Sequence, residues 1–237
     1  NDGYDLEPAG GGTNLWTGVI SGGGALNKID AGTLILTGAS TYSGATTISN
    51  GTFVMNGTNT SSAVDVKSGT TMRGAGTVGN LTIGGLVDPG NTAGARGTLN
   101  AGAVTLQSGG GMRVDMSSVS GTAGTDWDLI DASGTITVNG SGTFTIYLYG
   151  SGTGFNSSQA YSWKIMDGSV SGFDAGRFAV NSDNFAHALD GGAFSVDENS
   201  LDLVFTPLST DPPTVTTDAP SDITPYSAKG GGNVTDD

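Results

Sequence analysis

The amino-acid sequence predicts an all-β protein: a right-handed parallel β-helix (β-solenoid) with a C-terminal β cap and an extended tail. A repeated phrase, a high glycine content and paired short strands support this prediction. The phrase is Gly-Thr followed by an alternating apolar stretch, at residues 32–38 and again at residues 51–57. Shorter copies begin at Gly69, Gly97, Gly134 and Gly142. The first copies start 19 and 18 residues apart, which is too short for a domain and close to one solenoid coil.

Glycine accounts for 42 of the 237 residues, roughly 18% against ~7% in an average protein. Each glycine inside a helix costs about 1 kcal/mol relative to alanine, so long helices are not expected. Gly and Asn adopt positive φ at low cost. The composition therefore suits a chain that turns a corner every few residues.

Short strands occur in pairs along the first half of the chain. Residues 46–49 precede 52–55, 63–66 precede 70–72, 80–83 precede 86–87, and 103–106 precede 112–116. Each alternates apolar residues with Ser, Thr, Asn or Asp and ends at Gly or Asn, as strands do. An antiparallel sandwich also has short strands, but the recurrence of whole pairs favours a coil with stacked parallel strands.

Four segments follow from these patterns. Residues 1–13 form a lead-in, 14–125 the β-helix repeats, 126–206 the final coils and an aromatic-rich cap, and 207–237 a Pro/Thr linker and strand-forming tail. In the cap, residues 194–196 and 201–205 are expected to form a hairpin that closes the open end of the solenoid, and residues 182–189 one helical turn. The strand in the tail has no expected partner within the chain.

The repeated residues also carry a family resemblance. Residues 16–26 (WTGVISGGGAL) and 32–48 (GTLILTGASTYSGATTI) resemble the autotransporter-associated β-strand repeat, with Ser40 where Asn is usual. Residues 74–91 resemble a segment that often follows it, so the resemblance covers about residues 14–116. It implies a parallel β-helix on a secreted or surface-displayed bacterial protein, and it implies no catalytic residues.

The C-terminal segment carries a second resemblance. Residues 211–217 and 228–235 resemble the opening of an immunoglobulin- or fibronectin-like bacterial surface module. Because a lone strand pair is not a stable domain, we expect the natural polypeptide to continue, or this strand to pair with another chain.

Charge and composition exclude several functions. The formal net charge is −14, from 8 basic and 22 acidic residues, so the basic surface that nucleic-acid binding requires is missing. The chain has no cysteine, which excludes disulfides, thiolate metal sites and cysteine catalysis. No apolar run approaches the ~20 residues that span a bilayer, and we expect no membrane insertion of this segment.

Individual motifs give weak functional signals. The phrase at residues 74–79 matches G-x-G-x-x-G, but no helix is expected after it, so a β-corner is predicted rather than a nucleotide site. His187 is the only histidine, which leaves no ordinary zinc site. Asp126, Asp128 and Asp131 are the best metal candidates, although a solvated strand face, with Asp126 and Asp128 on one side, is the prediction.

A polysaccharide-acting enzyme is the most specific alternative function. Many β-helices act on polysaccharides, and outward Asp65, Asp115, Asp126 and Asp128 could supply a pair of carboxylates at a catalytic separation. The basic groups and outward aromatic platform typical of such sites are sparse, so no enzymatic activity is predicted.

The sequence therefore predicts a structural, non-enzymatic, secreted or cell-surface bacterial β-helix that acts as a stalk or adhesin-type scaffold. No catalytic, cofactor-binding or metal residues are assigned, and no cofactor is expected. Expected partners are other surface modules, copies of the chain itself, and polysaccharide or matrix. A self-assembling extracellular fibre that uses the tail for strand addition is the alternative, and a polysaccharide-acting enzyme is the second alternative.

Overall fold

A computed structural model describes residues 11–209, 215–217 and 219–234. They contain 25 strands, numbered β1–β25 in chain order, and one short 3₁₀ helix at Ala175–Arg177. The chain divides into two units, Asn1–Pro207 and Leu208–Asp237. The first unit is a parallel β-helix, as the sequence predicts.

One side of the coil, here called the first face, is a sheet of eight parallel strands. In stacking order they are β1 (Thr13–Trp16), β3 (Thr33–Leu36), β5 (Thr52–Met55), β8 (Thr71–Gly74), β11 (Leu86–Pro89), β14 (Gly111–Asp115), β16 (Phe144–Gly150) and β19 (Phe178–Phe185). Each strand therefore pairs with the equivalent strand of the neighbouring turn, which is the defining feature of a solenoid.

Two further faces complete the turns. The second face contains β2 (Leu26–Lys28), β4 (Thr46–Ile48), β7 (Val64–Val66), β10 (Leu81–Ile83) and β13 (Val104–Gln107). The third contains β6 (Thr58–Asn59), β9 (Thr77–Val78) and β12 (Thr98–Ala101). The long strand β15 (Leu129–Asn139) pairs with β12 through its first four residues and with β13 through its last four, and β18 (Met166–Ser171) pairs with β15.

The core is a set of apolar ladders that run along the coil. On the first face the inward residues in consecutive register are fully buried: Leu34, Phe53, Met72, Val87, Met112 and Ile146. Burying an apolar side chain of this size contributes about 1.5–3 kcal/mol. Because every turn adds a similar layer, the stability of the coil is distributed along its length.

The repeated Gly-Thr phrase has a definite place in the coil. Thr33, Thr52 and Thr71 lie in register on the first face, so the copies at residues 32 and 51 are structurally equivalent. The copy at Gly69 is offset by one residue, because the stacked threonine is Thr71. The copy at Gly97 is not equivalent, since Thr98 belongs to the third face.

The C-terminal part of the coil is closed by an antiparallel sheet. Its strands are β17 (Tyr161–Trp163), β20 (Ala193–Val196) and β21 (Leu203–Thr206), and Phe194 pairs with Phe205. The predicted hairpin is therefore confirmed. The predicted helical turn at residues 182–189 is wrong: residues 182–185 extend β19, because they pair in parallel with β16.

The second unit contains two antiparallel strand pairs. Strand β22 (Val215–Thr217) pairs with β25 (Gly232–Val234), and β23 (Ser221–Thr224) pairs with β24 (Ser227–Lys229). The expectation that the tail strand has no partner within the chain is thus wrong for β22. No helix among the described residues is long and apolar enough to cross a membrane.

Candidate functional site

Three neighbouring strands of the first face bring charged residues together. Asp88 on β11 is in register with Arg73 on β8, and Arg113 on β14 follows Met112, the partner of Val87. Because Val87 and Met112 point into the core, the residue after each points away from it. The negative Asp88 thus lies between two positive guanidinium groups, one from each adjacent turn.

This outer surface is not open to solvent. Two connections leave the coil beside it: residues 90–97 between β11 and β12, and residues 116–128 between β14 and β15. Asp88 is 0% exposed, and Asp115, at the end of β14, is 6% exposed. A Cβ placed on Gly94 would be 3.4 Å from Arg113 Nη2, so the first connection passes directly over this guanidinium.

Ion pairs hold two of the buried carboxylates. Arg73 Nε donates to Asp88 Oδ2 at 2.8 Å. Arg113 donates to both oxygens of Asp115, through Nε and Nη2, each at 2.7 Å, and its guanidinium carbon lies 3.9 Å from the centre of the Tyr149 ring. Bidentate pairing of this kind fixes the orientation of both groups.

A third buried carboxylate comes from the end of the second connection. Asp128 is 0% exposed. Its Oδ1 accepts a hydrogen bond from the Gly97 amide and its Oδ2 one from the Asp115 amide, both at 2.8 Å. One side chain therefore ties the end of the first connection to the start of the second.

Together Asp88, Asp115 and Asp128 form what we call the carboxylate cluster. One carboxylate oxygen from each lies within 4.8 Å of the others. Burial raises the pKa of Asp128 to about 8, against the two amide hydrogen bonds, which lower it; the Asp115 and Asp88 charges raise it further. Burial also raises the pKa of Asp88, although the Arg73 hydrogen bond and charge oppose it.

One oxygen of the cluster lacks a hydrogen bond. Asp88 Oδ1 is buried and no donor among the described residues reaches it. Arg113 Nε lies 3.9 Å away, too far for a hydrogen bond. Since the same Nε donates to Asp115 Oδ2, this oxygen of Asp88 is directed toward the guanidinium that holds Asp115.

The two connections also contact each other. Arg96 Nε of the first connection donates to the Thr125 carbonyl of the second at 3.0 Å. Within the second connection, Met116 forms an antiparallel bridge with Trp127. The Trp127 indole donates to the Lys164 carbonyl at 2.9 Å. These two connections, here called the lid, are thus anchored at several points over the cluster, and they close it to a polymer.

The structure does not bring the predicted metal candidates together. Asp128 belongs to the cluster, but Asp126 accepts from the Thr122 amide in the turn before β15, and Asp131 lies in β15 opposite Asn100 and Asp167. The predicted solvated strand face is wrong, because residues 126–128 precede the strand and Asp128 is fully buried.

The other candidates lie apart from the cluster. Asp65 pairs with Lys67 on the second face and is partly exposed. Asp115 points outward as predicted, yet it is buried rather than available to a substrate. His187 Nε2 contacts the Ser151 carbonyl and its ring centroid is 5.3 Å from that of Phe155 in the cap. Residues 74–79 run from the end of β8 through a corner at residues 75–76 to β9, and no helix follows them, as predicted.

Sequence reasoning missed the part played by Asp88. The sequence does contain a pattern that indicates this role. The same outward position in three consecutive turns carries charges of alternating sign, in Arg73, Asp88 and Arg113. Finding it required the register of the turns, and β11 and β14 are separated by a turn that is longer than those before it. Asp128 carried no such signal, since its burial depends on how the two connections fold.

Comparison with known proteins gives a match to a protein family. The family model described as passenger-associated-transport-repeat matches residues 26–55, which run from β2 to the end of β5. No curated protein matches the chain. The matched residues contain the Gly32 and Gly51 phrases, and their strands stack in parallel register. Residues 26–55 thus match the passenger-associated-transport repeat, the repeat of autotransporter passengers.

Proposed function

We propose that this chain is the structural, non-enzymatic shaft of a bacterial secreted or cell-surface protein, acting as a stalk or adhesin-type scaffold. The observation that supports this most is the passenger repeat at residues 26–55, set in a coil that continues with the same parallel stacking through β19. Autotransporter passenger repeats are in general features of extracellular or cell-surface proteins.

The position of the buried charges supports a structural role over an enzymatic one. Hydrolysis of a polysaccharide needs two carboxylates that flank the scissile bond. The three carboxylates that lie close together are each less than a tenth exposed, so no sugar ring reaches them. Asp65, which is accessible, is already paired with Lys67.

Surface labelling of intact cells tests this proposal. An antibody against the chain should label cells that produce the protein without permeabilisation, and added protease should remove the signal. Labelling only after lysis would contradict a surface role. In parallel, the purified chain should release no product from a panel of neutral and acidic polysaccharides, and turnover that is lost in Asp65→Asn would contradict a non-enzymatic role.

Self-assembly into a fibre is the alternative, and the second unit favours it. Its strands form two-stranded sheets, which are marginal alone, and Ile223 and Tyr226 are 71% and 99% exposed. If this unit drives assembly, the full chain should form filaments in electron micrographs, and Ile223→Ser with Tyr226→Ser should abolish them. Val19→Ser, at an exposed position of the first unit, is the control and should leave filaments unchanged.

A further inference from the structure

We infer that the carboxylate cluster is a binding site for one divalent cation of the Ca²⁺ type, held by one oxygen each from Asp88, Asp115 and Asp128. The inference concerns the lid of the coil and does not depend on the proposed function. The contacts that support it come from three separate parts of the chain: β11, the end of β14, and the segment before β15.

The distances suit the coordination sphere of a single ion. Ca²⁺ binds six to eight oxygens at 2.3–2.6 Å, so oxygens on opposite sides of one ion are about 4.6–5.2 Å apart. The three cluster oxygens all lie within 4.8 Å of one another. Second oxygens of the same carboxylates, backbone carbonyls and water would complete the sphere, as is usual for this ion.

The unpaired oxygen of Asp88 is a separate indication of a ligand. Asp88 is fully buried, and its Oδ1 has no hydrogen-bond donor among the residues that the structure describes. Leaving a buried charged oxygen without a partner costs free energy. Because Oδ1 is directed toward Arg113 and Asp115 rather than toward solvent, an ion placed among the three carboxylates would bind it.

The charges of the site also favour a cation. Three buried carboxylates face two guanidinium groups, those of Arg73 and Arg113, which leaves one negative charge. Asp128 is the carboxylate without a cationic hydrogen-bond partner, because both of its bonds come from backbone amides. A cation beside Asp128 compensates this charge.

A proton would also compensate the charge, but it fits the contacts less well. Both oxygens of Asp128 already accept an amide hydrogen bond, and protonating one of them weakens it as an acceptor. A metal ion instead binds the remaining lone pairs, so both amide bonds persist. A shared proton would also join only two oxygens, whereas three converge here.

Calorimetric titration of the full chain with CaCl₂, after chelator treatment and at neutral pH, tests the inference. One ion per chain should bind, and the thermal unfolding midpoint should rise. Asp128→Asn and Asp88→Asn should each weaken binding about tenfold or more, with folding checked by circular dichroism. Asp65→Asn is the matched control, because it removes a carboxylate of the same coil outside the cluster, and its binding should equal that of the wild type.

A measurement on the wild-type chain localises the site without any variant that might unfold. Ca²⁺ should slow hydrogen exchange most strongly at the Gly97 and Asp115 amides, which donate to Asp128. The inference is overturned if CaCl₂ produces no binding heat and no change in unfolding, or if binding persists in both Asp88→Asn and Asp128→Asn. It is also overturned if the slowed amides lie elsewhere, or if pH alone changes stability and Ca²⁺ does not.

Discussion

Asp128 joins two segments of the chain through one carboxylate that lies beside two others. Its Oδ1 and Oδ2 accept hydrogen bonds from the Gly97 and Asp115 amides, and burial raises its pKa to about 8 from an ordinary value of 3.8. Between these two values the folded metal-free chain retains a proton that the unfolded chain has released. Stability therefore falls as the pH rises from about 4 to about 8 and changes no further above that range.

Asp128→Asn tests this pH dependence in the presence of chelator. The wild-type free energy of unfolding should decrease with a slope of at most about 1.4 kcal/mol per pH unit across that window. In the variant, which cannot titrate, the slope should be much smaller, and Asp65→Asn should retain the wild-type slope. Urea unfolding at several pH values measures it, and equal slopes in wild type and Asp128→Asn would contradict the assignment.

Arg73 supplies the hydrogen bond that compensates the buried charge of Asp88. Arg73→Met removes this donor and leaves the carboxylate buried, which should cost about 3 kcal/mol. Lys67→Met is the matched control, since the Lys67–Asp65 pair is about half exposed and such pairs contribute less than about 1 kcal/mol. Equal losses in the two variants, measured by chemical denaturation, would show that burial does not distinguish these pairs.

A column of glycines sets how closely consecutive turns approach at one corner. A Cβ on Gly57 would be 2.2 Å from the Gly38 carbonyl oxygen, and one on Gly76 would be 2.2 Å from that of Gly57. These distances are shorter than any contact that a real Cβ atom makes, and the neighbouring atoms belong to the backbone. The corner therefore accepts no side chain, which explains why glycine recurs there once per turn.

Gly57→Ala should destabilise the chain by about 2 kcal/mol, the usual scale for forcing an extra group into a packed site. Gly23→Ala is the control, because a Cβ there meets no atom of the described residues within 4 Å, and it should change stability by less than about 0.5 kcal/mol. Thermal unfolding compares the two variants. A Gly57→Ala chain as stable as the Gly23→Ala chain would contradict the close stacking.

The sequence predicted the paired strands of the first and second faces well and the two-residue strands of the third face poorly. Apolar alternation identified β4, β5, β7, β8, β10, β11, β13 and β14 to within one or two residues. The third face was not predicted, because β6 and β9 are two residues long and two residues cannot show alternation. The 182–189 segment was mistaken for a helical turn, since parallel pairing with β16 outweighs its local preference.

At the scale of the whole molecule, residues 13–185 contain one series of stacked turns, which the antiparallel sheet of β17, β20 and β21 closes. Its inward residues form continuous apolar ladders, and the full chain of 237 residues carries a formal net charge of −14. A net charge of this size keeps a protein soluble. Together with the passenger repeat, these features support a scaffold that acts through its length and surface.

Parallel stacking in a fixed register is the central claim, and engineered cysteine pairs test it most directly, because the chain has no cysteine. Thr82 and Thr105 are register partners on adjacent turns, about 4.8 Å apart, within disulfide range. Thr47 and Thr82 flank Asp65, so they are two turns and about 9.6 Å apart. After mild oxidation, mass spectrometry should find a disulfide in the Thr82→Cys/Thr105→Cys chain and none in the Thr47→Cys/Thr82→Cys chain; the reverse result would contradict the coil.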